Sequence, residues 1–299
     1  MAVVPLRDGK ALNVFCLGRG EPVILLHGLG FHGLQWLPNI LPLTHRYRFY
    51  LPDLRGFGQS HLTAFSQHCV FSTYAQDLAD VIDHFKLNDV ILGGVSTGAF
   101  TCLVYNQLYG FGQVKKYLHI EHGSNSKSCN LRQGIFKERQ AELFSHFDHI
   151  QSLAAQYDGD MGYWDLPVPV RIAMRDTVMR VYRLAFNRTL SRALVSVAAQ
   201  HFERVLTRFM MPTERWRVYL TVMAAFQKGF ETEPGLASIN IPTTFMIGRH
   251  SRYFSYEEQI QMAEQVPASN VAVFERSGHV PMADEPLAFQ RAFTRFLSA

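Results

Sequence analysis

The chain has 299 residues, 47% hydrophobic and 18% charged, which is enough for a full core and excludes wholesale disorder. Its formal charge of +4 is modest and unevenly placed: residues 125–235 hold 15 Lys and Arg against 11 Asp and Glu, and the remainder holds 14 of each. No dense basic cluster with interleaved aromatics accompanies that excess, which argues against a nucleic-acid partner.

Short apolar runs bounded by Gly and Pro recur in the first 125 residues. Pro22 to His27, Tyr47 to Leu51, Asp89 to Val95 and Tyr117 to Ile120 each read as a buried strand. Between the second and third, Thr73 to Phe85 repeats apolar residues at helical spacing (Tyr74, Leu78, Val81, Ile82, Phe85), with Asp77, Asp80 and Asp83 assigned to the opposite face. From about Leu131 to Phe230 no strand is expected. Four helical stretches near 132–157, 169–187, 190–210 and 213–230 are separated by Asp158-Gly159-Asp160, Asn187 and Met211-Pro212. Strand and helix alternation then resumes, with strands at Ile241–Gly248 and Val271–Phe274 and helices at Tyr256–Val266 and Pro286–Leu297. The predicted fold class is α/β, a mostly parallel doubly wound sheet carrying an inserted all-helical lid. The core is assigned to 1–124 and 236–299 and the lid to 125–235.

No apolar run approaches the ~20 residues of a membrane helix, so no stable membrane insertion is expected. Residues 1–10 lack an export-signal pattern, and Cys16, Cys69, Cys102 and Cys129 lack metal-ligand spacing. Both point to a cytoplasmic protein with reduced thiols. No metal and no organic cofactor is implied.

Gly94-Val95-Ser96-Thr97-Gly98 follows a predicted buried strand and opens a predicted helix. A serine in so sharp a turn needs small neighbours, and the turn presents its Oγ at the carboxyl edge of the sheet beside a helix N-terminus. Ser96 is therefore the candidate nucleophile. His27-Gly28-Leu29-Gly30 ends an earlier strand, so the amides of Leu29 and Thr97 are the candidate oxyanion donors. His27 itself is expected to fix its loop. Asp53 through Ser60 forms a compact turn that Asp53 and Arg55 are expected to tie down. Ser277-Gly278-His279-Val280-Pro281 follows the last strand, and that position singles out His279 among 13 histidines as the general base.

These pieces, in this order and spacing, make the chain resemble the α/β-hydrolase superfamily over nearly its whole length outside the lid. The resemblance implies a serine–histidine–acid triad in that chain order, with Asp284 capping the final helix. It also implies an acid just past Gly248, where the sequence instead reads Arg249-His250-Ser251-Arg252, with Ser251 at the acid's place. No Asp occurs between Asp176 and Asp284. Glu121, about 25 residues past Ser96, is the candidate acid, because certain haloalkane dehalogenases carry theirs at the end of this strand. Glu257, Glu258 and an impaired enzyme without an acid are the alternatives. The comparison with dehalogenases and epoxide hydrolases stops there, since those enzymes need a carboxylate nucleophile.

The lid segment holds Arg171, Arg175, Arg180, Arg183, Arg188 and Arg192, a solvated face or a gate for anions. Phe136, Phe144, Phe147, Tyr163, Trp164, Tyr182, Phe186, Trp216 and Phe226 in and around it, with Trp36 near the oxyanion loop, would shape an apolar pocket. His250, Arg249 and Arg252 are weaker candidates for substrate contact. The expected partner is a small hydrophobic ester, thioester or lactone, acted on through an acyl-enzyme. The alternatives are a carbon–carbon bond hydrolase or acyltransferase of the same fold, and a binding protein that lost efficient catalysis.

Overall fold

The computed structural model describes residues 1–65, 69–128, 133–159, 161–187 and 216–299, with positions 189, 193, 197 and 204 between the last two spans. Eight strands form one sheet: β1 (Ala2–Pro5), β2 (Ala11–Gly18), β3 (Glu21–Leu26), β4 (Tyr47–Pro52), β5 (Val90–Val95), β6 (Val114–Ile120), β7 (Thr243–Gly248) and β8 (Ser269–Phe274). Their order is β1-β2-β4-β3-β5-β6-β7-β8. The pairs β1–β2 and β2–β4 are antiparallel, and every pair from β4 to β8 is parallel.

Alternation along the central strands feeds two cores. Ile24 and Leu26 of β3 join one face with Leu92 of β5 and Tyr117 of β6, covered by α1 (Val70–His84) and α2 (Thr97–Tyr109). Val23 and Leu25 join the other with Ile91, Leu118 and Ile120, covered by Trp36, Ile40 and Phe289 and Phe293 of the C-terminal helix Pro286–Ser298. Both faces are sealed, so these strands carry near-continuous apolar runs.

Three helices fill the described part of the segment between β6 and β7: α3 (Gln140–Ala154), α4 (Val168–Ala185) and α5 (Arg217–Lys228). Then come α6 (Tyr256–Glu264) and the C-terminal helix, α7. The chain leaves the sheet and returns to it at one point. Asn125 and Glu231 form a β-bridge, Thr232 N–H donates to Ser124 O, and Ser126 N–H donates to Phe230 O.

Several expectations change. The antiparallel pair β1–β2 was not anticipated; Leu12 and Val14 alternate inward, but the outer face of β2 is only half covered, so its apolar contrast is weak. The helix expected from 132 begins at Gln140, because Phe136 takes a left-handed φ of 69° and the chain turns there. Asp77 and Asp80 do not form a solvated face: Asp77 is buried and takes two bonds from Arg55, and Asp80 takes Arg7. The helix expected over 190–210 falls almost wholly outside the described residues, as do Cys129, Arg188, Arg192 and the Met211-Pro212 break. Cys16, Cys69 and Cys102 are free thiols. Among the described residues no helix is long and apolar enough to cross a membrane.

Candidate active site

Ser96 sits between β5 and α2 with φ 53° and ψ −122°, a conformation costly for a residue with a Cβ. The residues two positions away on either side must be glycine. A Cβ on Gly94 would lie 2.4 Å from the Gly98 carbonyl carbon, and one on Gly98 would lie 2.6 Å from Leu26 O. With those contacts closed to side chains, Ser96 projects from the carboxyl edge of the sheet. Thr97 opens α2, where its amide has no intrahelical carbonyl to bond.

His279 lies on the loop after β8. Its Nε2 is 2.9 Å from Ser96 Oγ, and its Nδ1 is 3.2 Å from Glu121 Oε2. With Nδ1–H directed to the carboxylate, Nε2 is left to accept the serine proton. The loop is fixed from several sides. His279 N–H donates to Ala185 O at the end of α4, and the carboxylate of Asp284 accepts from Gly278 N–H and Asn187 N–H. Asp284 is therefore not the cap of the final helix that the family pattern implied. It ends the short helix Pro281–Asp284, and its side chain is spent on the histidine loop. Tyr253 lies parallel on the imidazole, centroids 4.0 Å apart and planes 4° apart.

Glu121 caps the end of β6 with φ 52° and is fully buried. Besides His279, its carboxylate accepts from Gly248 N–H at 2.6 Å, Ser251 Oγ–H at 2.7 Å and Gln259 Nε2–H at 3.4 Å. Ser251, at the place where the resemblance implied the acid, is thus bonded to Glu121. The alternatives Glu257 and Glu258 point elsewhere, to Ser255 Oγ and Gln133 N–H.

His27 is buried and locked in one tautomer: Leu54 N–H donates to its Nε2, and its Nδ1 lies 2.8 Å from Gly28 O. Burial lowers its pKa from 6.5 to about 4, so the ring stays neutral. Asp53 holds Gly33 N–H and Gln59 N–H, and Arg55 is buried between Asp77, Asp8 and Ala64 O. All three residues hold loops, as expected. Leu29 carries the other candidate donor, and its carbonyl accepts from Tyr182 Oη–H of α4.

A cavity of about 250 Å³ opens onto Ser96 and His279. Leu29, Thr97 and Trp36 line it, as do Phe136, Tyr182, Phe186 and Phe226 from the aromatic set. Phe147, Tyr163 and Trp216 are instead buried in the core. Trp36 is 1% exposed, its ring stacks on Phe293, and its indole N–H has no hydrogen-bond partner among the described residues. Sequence reading passed over Phe31, Tyr219, Met223 and Tyr253, which also line the cavity. None of Arg171, Arg175, Arg180 and Arg183 does: Arg171 lies over Trp164 and Arg175 pairs with Asp176. Arg249 pairs with Glu275 across the surface, and neither it, His250 nor Arg252 reaches the cavity.

A mostly parallel sheet with helices on both faces, carrying serine, histidine and carboxylate in hydrogen-bonding line at its carboxyl edge, defines an α/β-hydrolase architecture. A model of the Alpha/beta hydrolase family matches residues 23–292, and the chain belongs to that family, a hydrolase by class. Its relatives include the (E)-2-((N-methylformamido)methylene)succinate hydrolase of Acinetobacter baylyi, 21% identical over 98% of this chain and 96% of that one. An esterase from Exiguobacterium antarcticum superposes with a TM-score of 0.76 at 19% identity, covering 100% of this chain and 99% of that one. The enol-lactonase of Burkholderia xenovorans LB400 superposes with a TM-score of 0.75 at 16% identity, covering both chains fully (100%).

Proposed function

We propose that the chain is a serine hydrolase that splits a compact hydrophobic ester, thioester or lactone through an acyl-enzyme. The observation that carries the reading is the unbroken line from Ser96 Oγ through His279 to Glu121, with both hydrogen-bond distances at 3.2 Å or less. In this reading Ser96 Oγ attacks the carbonyl carbon while His279 Nε2 takes its proton. Charge on the carbonyl oxygen falls to the amides of Leu29 and Thr97. His279 then protonates the leaving oxygen or sulfur, and water, deprotonated by the same nitrogen, releases the acid. Glu121 keeps the imidazole in the required tautomer and offsets its positive charge.

Segment 125–235 acts as a lid, and Trp36 shapes the substrate pocket from beneath. A cavity of 250 Å³ compares with the ~150 Å³ that accommodates benzene, so one ring or a medium acyl chain fits. The Glu121–His279 contact supports catalysis over the binding-protein alternative.

Three measurements test the reading. A fluorophosphonate should label the wild-type protein and leave Ser96→Ala unlabelled. Across p-nitrophenyl esters of graded length, hydrolysis should peak at about six to eight acyl carbons. Glu121→Gln should lower kcat by about 10²–10⁴-fold with the fold retained, as loss of a triad acid does elsewhere. An unlabelled wild-type protein, or a Glu121→Gln variant of near wild-type activity, sinks it.

A further inference from the structure

The carboxylate of Glu121 receives its four partners in an ordered way. Gly248 N–H and Gln259 Nε2–H go to Oε1, whereas Ser251 Oγ–H and His279 Nδ1 meet at Oε2. Ser251 is 4% exposed, so its hydroxyl has no exchange with bulk water to fall back on. Phe254 N–H points at the Ser251 oxygen from 3.5 Å, which leaves the hydroxyl proton for the carboxylate. The same turn carries Tyr253 onto the imidazole.

We propose that Ser251 is a positioning residue of the reaction, tuning His279 through the oxygen of Glu121 that both share. The proposal rests on the roles assigned above to Ser96, His279 and Glu121. A hydrogen bond to a carboxylate spreads its negative charge onto the donor. Ser251 therefore weakens the pull of Oε2 on the imidazolium while fixing where that oxygen lies. Without the hydroxyl, Oε2 would hold the protonated imidazole more strongly, and His279 would be available as a base only at higher pH. The titratable groups packed around this pair include Tyr253, stacked on the imidazole, His122 beside Glu121, and Asp284, whose buried carboxylate holds the Gly278 amide next to His279. Burial raises the Tyr253 phenol well above 10 and lowers His122 well below 6.5, so both stay neutral across the range concerned.

The test is the second-order rate of fluorophosphonate labelling against pH, which needs no knowledge of the natural substrate. Ser251→Ala should displace the acid limb upward by about half a pH unit or more, with thermal unfolding checked alongside. Ser255→Ala, in the same loop, whose hydroxyl bonds to the Glu257 carboxylate and the Glu258 amide, should leave the limb where it is. An unmoved or downward-shifted limb in Ser251→Ala, or an equal shift in Ser255→Ala, overturns the proposal and leaves the triad assignment standing. A Glu121→Gln protein that labels like wild type, or a wild type that does not label, overturns the assignment and the proposal together.

Discussion

Gly98 shows how much of the site is decided by single atoms. Its missing Cβ lets α2 start 2.6 Å, in Cβ terms, from Leu26 O and 2.7 Å from His27 O. Alanine there would push the helix away from β3 and take Thr97 with it. Gly98→Ala is expected to cost about 1–3 kcal/mol in urea unfolding and to slow Ser96 labelling more than that loss of stability explains. Such constraints are why Ser96 stood out in the sequence as the candidate nucleophile: small residues flanking a serine after an apolar strand leave few other conformations. His279 was legible from its place on the loop after the last strand; the structure adds that the preceding glycine is required there, since a Cβ on Gly278 would stand 2.7 Å from Ala185 O. Ser251 was legible only as a departure from a pattern. Its use emerges when β6 and β7 are neighbours and Glu121 lies beside it, a fact of pairing that no local stretch encodes.

Among the elements, α4 does the most to join the inserted segment to the chemistry. Its Tyr182 reaches Leu29 O, Val181 O accepts from Tyr253 Oη–H, and Ala185 O holds the His279 amide. Three successive parts of the site therefore hang on one helix turn. Tyr182→Phe should lower kcat several-fold with KM for a short ester little changed, because the Leu29 peptide loses its anchor while the cavity wall remains. A fall in affinity without loss of kcat would show that Tyr182 serves only as wall. The helix itself was anticipated at 169–187 and runs Val168–Ala185, yet the bond from its Tyr182 to the Leu29 carbonyl was not foreseeable. Periodicity marks a helix and its apolar stripe; it does not say which carbonyl a tyrosine hydroxyl will meet. The strands β1 and β2 escaped notice for the opposite reason: β1 is a four-residue edge strand, and β2 beside it carries only low burial contrast.

For the molecule as a whole, buried neutral histidines couple folding to pH. Burial holds His27 and His119 near 4, against 6.5 for an exposed ring, and pushes His122 well below 6.5. Their folded values are depressed, so the unfolded chain binds more protons between pH 6.5 and 4. Stability is then fully present above about 6.5 and drains away as pH falls through that window, by up to ~1.4 kcal/mol per pH unit for each ring. Urea midpoints measured from pH 7.5 to 4.5 should decline accordingly, and His119→Gln should flatten the slope. A pH-independent midpoint would mean that these rings are more open to water than their packing indicates. At this scale the sequence was most readable: the α/β order, the helical interruption and the parallel sheet all follow from a change in apolar period along the chain.

The closure of the inserted segment on itself has a practical meaning. Because Ser124 and Thr232 are already hydrogen-bonded neighbours, the intervening hundred or so residues form a detour that begins and ends at one spot. Such a segment can lengthen, shrink or be exchanged for another without moving a single strand, since loop closure is satisfied beforehand. Variation in such a detour would be modular as long as the bonds that Val181, Tyr182 and Ala185 make to the site are kept. For protein engineering, the Ser124–Thr232 junction is the place to cut and splice.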